Sequence, residues 1–234
     1  MNLKSRLESL ESSILELSKK PVAIVAVTKR FSAELYGQCS EVGIVHYGEN
    51  RAQEVRDKAS SLPTNAILHY LAPIQKNKVK YLKGKIHSFD ALDSIETAQL
   101  LNQEEIPIHQ KLNVLIQVNP LKPNNKSGVN LDETDKIYSL VDYCLTSKYL
   151  NLEGLMCMGP TPTEGYTLGT IDYDEDTRSA FAKTADFFNN LKSKLGITLQ
   201  RLSMGMSDDY RIAVKEGSTE IRVGSLLFGP RPKG

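Results

Sequence analysis

Leu3, Leu7, Leu10, Ile14 and Leu17 recur at steps of three and four, the repeat of one helix face, and predict an amphipathic helix over residues 2–18. Core packing is the simplest use of that face; a partner-binding face is the other. The pattern then changes. Residues 22–29 (VAIVAVTK) are short, β-branched and apolar on both faces, as in a strand covered on both sides within a parallel sheet. Helical and extended stretches alternate from there: a helix from Ser32, a strand over 44–48, a helix from Asn50, a strand over 67–71 and a helix from Gln75. Strands over 85–89, 113–118, 152–158, 199–205 and 220–228, separated by helical sequence, bring the total to eight.

Strict βα alternation with right-handed crossovers leads either to a closed barrel or to an open doubly wound sheet. Eight units in 234 residues favour an α/β fold of the (β/α)8 TIM type with an extra N-terminal helix, as one domain over residues 1–234. An open sheet would carry a GxGxxG turn after its first strand, whereas this one ends in Thr28-Lys29-Arg30. Two long connections, 119–130 and 159–176, are rich in turn formers and follow strand C-terminal ends, where barrels place their chemistry. Both are candidates for a site wall or lid.

Composition narrows the function classes. Hydrophobic residues make up 40% and charged residues 24%, a globular balance, and 29 basic against 28 acidic residues leave no broad field to gather nucleic acid or anionic lipid. Cys39, Cys144 and Cys157 show neither an even count nor CxxC spacing, which argues against a disulfide framework or zinc cluster and for a reducing cytoplasm. The N-terminus is charged throughout and no apolar run nears the ~18 residues of a membrane span, so neither export nor membrane insertion is expected.

Lys29 closes an otherwise apolar strand and is expected to project into the barrel mouth. Partial burial and the neighbouring Arg30 would favour its neutral amine, the form that attacks an aldehyde to make a Schiff base; snorkelling to solvent is the plainer alternative. Ser203 and Gly205 end the seventh strand, and Ser207 is placed to N-cap a helix over 210–216. Gly224 and Ser225 follow the eighth. Small residues at these two ends suit a phosphate, and equally suit tight packing. Pleating puts Ile221 and Val223 outward and Arg222 inward, where it needs a partner. Asn50, after Gly48-Glu49, offers an amide at the same rim, or simply caps the next helix. The four histidines, at 46, 69, 87 and 109, have no metal spacing, and neither GxxxxGK[ST] nor GxSxG occurs.

Several segments resemble the YggS/PROSC family, the pyridoxal phosphate homeostasis proteins. They are Val25-Ala26-Val27-Thr28-Lys29, Tyr47-Gly48-Glu49-Asn50, the segment from His69 to Lys78 and Lys126-Ser127-Gly128. Further on come Gly154-Leu155-Met156, Ser203-Met204-Gly205-Met206-Ser207-Asp208-Asp209 and Ile221-Arg222-Val223-Gly224 with Phe228-Gly229-Pro230-Arg231. The resemblance implies a barrel like the N-terminal domain of alanine racemase, with pyridoxal phosphate on Lys29. It further implies Arg222 facing the pyridine nitrogen, Asn50 lining the ring pocket, and Ser203, Gly205, Gly224 and Ser225 holding the phosphate. The chain departs from the family pattern at Ala72, where the family has glycine, and at Ser225, where it has threonine.

An arginine at the pyridine nitrogen disfavours its protonation and weakens the cofactor as an electron sink. Racemases of this fold add a second β domain and a tyrosine base from a dimer partner, for which 234 residues leave no room. The expectation is a monomeric, non-catalytic binder that buffers or delivers pyridoxal phosphate to acceptor enzymes and influences amino-acid balance. An amino-acid racemase using Lys29 as anchor and base is the alternative; a scaffold acting through the N-terminal helix is a third reading.

Overall fold

The computed structural model describes residues 2–121, 127–160 and 167–230. Helix α1 (Leu3–Leu17) is capped by Asn2, whose side chain accepts from the Ser5 amide, and it buries Leu7, Leu10 and Ile14. It packs against α7 (Tyr210–Lys215) and α8 (Ser225–Phe228), with Ser13 Oγ 3.0 Å from Tyr210 Oη, so its apolar face serves the core. After α1 come β1 (Ala23–Val27), α2 (Glu34–Glu41), β2 (His46–Glu49), α3 (Ala52–Lys58), β3 (Ile67–Tyr70), β4 (Ser88–Leu92), α4 (Ile95–Leu101) and β5 (Leu112–Asn119). They are followed by β6 (Val129–Asn130), α5 (Thr134–Thr146), β7 (Leu150–Met156), α6 (Ile171–Leu195), β8 (Arg201–Ser203) and β9 (Glu220–Val223).

All strand pairings are parallel. β1 pairs with both β2 and β9, and β4 with β5, so the order β1-β2-β3-β4-β5-β7-β8-β9 closes on itself into a TIM-type barrel with helices outside. Strand β6 is an addition unseen in the sequence: Val129 pairs with Val118 beyond the barrel, on the long connection that follows β5.

Some boundaries differ from those the sequence suggests, each for a physical reason. The eighth barrel strand ends at Val223, because the chain turns at Gly224 into the short helix α8. The seventh ends at Ser203, and Gly205 lies outside it at φ 95°, a value that L side chains rarely adopt. The fourth is displaced to Ser88–Leu92, since the barrel interior satisfies Asp90, a carboxylate that reads as a strand end. The helix expected from Gln75 is a 3-10 turn over Lys76–Tyr81. The connection expected over 159–176 is shortened by α6, which starts at Ile171 with Thr170 as N-cap and Asp172 and Asp174 facing the positive helix end. Ser207 does not cap α7; its Oγ lies 3.4 Å from the Leu226 amide, which donates to it.

The lumen is polar at the N-terminal end of the strands. From β8, Arg201 crosses the interior and donates to Ser88 Oγ at 2.8 Å, Glu153 Oε2 at 2.9 Å, and Asp90 Oδ2 and Glu220 Oε1 at 3.0 Å. His69, Asp90 and Glu220 converge closely enough to suggest a metal site, but the Arg201 guanidinium stands among them and meets their charge. Burial raises the Asp90 pKa, but the Arg201 and His69 charges outweigh it and hold that carboxyl below the usual range. The three cysteines are buried and form no disulfide. Among the described residues no helix is long and apolar enough to cross a membrane.

Candidate functional site

Lys29 sits half-buried just beyond the C-terminal end of β1. Val25 is in register with Arg222 and Val27 with Gly48, so pleating puts Val25 and Val27 on the lumen side with Gly48 of one neighbour and Arg222 of the other, and Lys29 and Asn50 each lie two residues further on past the strand ends. The ladder continues past the strand, with Thr28 N–H donating to Gly48 O at 3.0 Å. The chain then turns sharply: Phe31 N–H donates to Thr28 O at 3.2 Å, and Arg30 takes the left-handed φ of 67°, the only non-glycine to do so among the described residues.

Arg222 points into the barrel and is 5% exposed. Its Nη1 donates to Ser203 Oγ at 2.7 Å and its Nη2 to Cys157 O at 2.8 Å, which fixes the guanidinium across β8 and the end of β7. Ser203 is fully buried, and after accepting from Arg222 it keeps its own O–H to donate. Asn50 follows β2 with its Oδ1 buried and accepting no hydrogen bond from the described residues. At Gly48 a Cβ would stand 2.6 Å from Leu71 Cδ1 and 3.0 Å from Val25 Cγ1, so a side chain there would displace Leu71.

The same rim continues on the other side of β1 with the ends of β9 and β8, tied together by the Arg222 amide donating to Gly205 O at 2.9 Å. Gly205 is required by its φ of 95° and by packing, since a Cβ would lie 2.6 Å from Ala213 Cβ. At Gly224 a Cβ would meet Val27 O at 3.2 Å, so close approach of β1 accounts for that glycine. Ser225 opens α8 and is exposed. Ala72 is half-buried after β3. Lys29, Asn50, Ser203, Gly205, Arg222, Gly224 and Ser225 are thus gathered on one rim. Lys126 and Arg231 lie outside the described residues, as do parts of both long connections.

Two groups near the site escaped the sequence. Asp209 is buried, its Oδ1 accepting from the Met206 amide at 2.5 Å and its Oδ2 without a partner among the described residues; burial pushes its pKa up. Behind Lys29, on the outer side of the sheet, Thr28, Tyr36, Glu49, Glu54 and Lys58 form a hydrogen-bonded cluster. The i,i+4 spacing of Glu54 and Lys58 was a visible signal, but it reads as an ordinary surface pair on a helix.

A closed parallel barrel with a lysine ending its first strand is the architecture of the alanine racemase N-terminal domain, whose family model matches residues 4–232. The chain belongs to that family. Within it, the chain is 34% identical over 97% of its length to the pyridoxal phosphate homeostasis protein of Schizosaccharomyces pombe, covering 92% of that protein. It is also similar to the solved structure of PipY of Synechococcus elongatus PCC7942 with PLP bound, at 27% identity and a TM-score of 0.78, over 97% of this chain and 100% of that one. Alanine racemase of Clostridium difficile 630, at 18% identity, shares the fold with a TM-score of 0.75 over 99% of this chain and 60% of that one.

Proposed function

We propose that this chain binds pyridoxal phosphate at the β1–β9 rim and serves its homeostasis by holding and releasing it, without catalytic turnover. The observation that carries this reading is that Lys29 and the anchored Arg222 share one lumen face beside the buried, unpartnered Oδ1 of Asn50. The names of the relatives and the PLP-bound neighbour point to the same ligand. The residues fit the group: Lys29 would hold it through its amine, Asn50 would line the ring, and Ser203, Gly205, Gly224 and Ser225 would surround the phosphate.

When bound, the cofactor supplies an aldehyde and an electron-accepting ring. The two hydrogen-bond acceptors of the Arg222 guanidinium, the Ser203 hydroxyl and the Cys157 carbonyl, are both neutral. Placed at the ring nitrogen, that fixed cation disfavours a proton there, which suits a store better than a carbanion-forming catalyst. The reading includes a single domain over residues 1–234, a monomer in the cytoplasm, and pyridoxal phosphate-dependent enzymes as acceptors.

The test is the absorbance of purified protein between about 300 and 500 nm, before and after borohydride, beside Lys29→Ala. A band lost on reduction and absent from the variant is expected. No band with excess cofactor overturns the reading, and Lys29-dependent deuterium exchange at the alanine Cα would make the protein an enzyme.

A further inference from the structure

The reactive lysine of the proposed site stands on a turn whose shape is imposed from behind. Lys58, the last residue of α3, is 7% exposed and sends its Nζ to the backbone on both sides of Lys29, donating to Thr28 O and to Phe31 O at 3.2 Å each. The same nitrogen lies 2.6 Å from Glu49 Oε1 and 2.9 Å from Glu54 Oε2. Glu54 Oε2 in turn accepts the Arg30 amide at 2.9 Å, at the residue with the left-handed φ of 67°. Glu49 Oε1 also accepts from Thr28 Oγ1 at 2.7 Å and Tyr36 Oη at 2.9 Å. From the other side, the Phe31 ring meets Phe228 of α8 edge-on, with centroids 5.3 Å apart.

We infer that Lys58 and Glu54 are positioning residues for Lys29: they hold the turn over residues 28–31 in the form that aims the Lys29 amine into the lumen. A surface helix pair would leave the backbone of another segment alone. Here an ammonium is committed to two carbonyls of the loop after β1, and a carboxylate to the amide between them. Left-handed φ at arginine is unfavourable without such support. Neither side chain touches the lumen, so their effect on a ligand must pass through the turn. This inference rests on the proposed role of Lys29.

The experiment compares two ligands on the full chain: pyridoxal 5′-phosphate, whose aldehyde reacts with Lys29, and pyridoxine 5′-phosphate, which has no aldehyde and tests the pocket alone. Glu54→Ala, Glu54→Gln, Lys58→Met and the charge-balanced Lys58→Met/Glu49→Gln are measured beside wild type and Lys29→Ala. The aldehyde ligand is expected to weaken by about tenfold in Glu54→Ala and in the Lys58 variants, equivalent to ~1.4 kcal/mol. Pyridoxine 5′-phosphate should stay within about twofold of wild type. Glu54→Gln, which keeps an acceptor for the Arg30 amide, should lose less than Glu54→Ala. Hydrogen exchange of the ligand-free protein should accelerate at the Arg30 amide in the same order as the affinity losses. Equal losses for both ligands, or unchanged exchange at Arg30, overturn the positioning role. If wild type itself shows no Lys29-dependent reaction with the aldehyde, the proposed function fails first and this inference with it.

Discussion

Arg222 and Ser203 face each other across the β8–β9 seam, guanidinium Nη1 to hydroxyl Oγ at 2.7 Å, with both side chains out of solvent. A charged donor cannot be left without its acceptor there cheaply. Ser203→Ala should destabilise the protein by about 1–3 kcal/mol, because the buried guanidinium loses an acceptor. Urea unfolding of the variant with no cofactor added measures this directly, and a loss below ~0.5 kcal/mol would mean that the arginine finds another acceptor.

Asp90 gives the barrel a dependence on acid. Its carboxyl is held below the ordinary 3.8 by Arg201 and His69, so its contribution is present above about pH 4 and lost as pH falls toward the folded value. Unfolding free energy should therefore decline on acidification. Arg201→Met leaves Asp90 and Glu220 buried without their cation and should cost about 3–5 kcal/mol at neutral pH. The difference between wild type and variant should shrink below about pH 4, as a urea series across pH will show.

Asp209 carries the opposite sign. Burial raises its pKa, so the ionised form is disfavoured in the folded state, and the protein loses stability as pH rises from about 4 through the folded value. Asp209→Asn keeps an oxygen for the Met206 amide and removes the titration. Its stability relative to wild type should rise between pH 4 and pH 7. A constant gap across that range would count against the assignment.

Two glycines make a matched pair. At Gly154 a Cβ would stand 1.7 Å from the Arg201 carbonyl oxygen, so alanine forces β7 and β8 apart and should cost at least about 4 kcal/mol or abolish soluble expression. Gly37 lies mid-helix in α2, where an added Cβ would meet nothing within 4 Å, and Gly37→Ala should stabilise by about 0.5–1 kcal/mol. Thermal unfolding of both variants checks the pair.

The barrel was legible because its strands are short and rich in β-branched apolar residues: AIVAV in β1 is apolar on both faces, and the alternate Val114, Ile116 and Val118 of β5 mark a buried face without knowledge of their neighbours. Strand ends gave the rim, since Lys29 and Arg222 are charges where an apolar run stops or alternates. The lumen floor was not legible. Asp90 and Arg201 lie 111 residues apart, and each alone looks like an interruption of its strand until the partner is seen across the barrel. The clamp behind Lys29 was hidden for a related reason: hydrogen bonds from Lys58 to the Thr28 and Phe31 carbonyls leave no trace in side-chain periodicity. The start of α6 was obscured because its acidic first turn has the composition of a loop.

Arg201, braced by Ser88, Asp90, Glu153 and Glu220, also decides how traffic through the barrel is arranged. It bolts the lumen below the level of Arg222, so the barrel works as a cup and not as a tube. A ligand that enters over the rim at Lys29 therefore leaves by the same mouth, so on the proposed function uptake and release share a single opening.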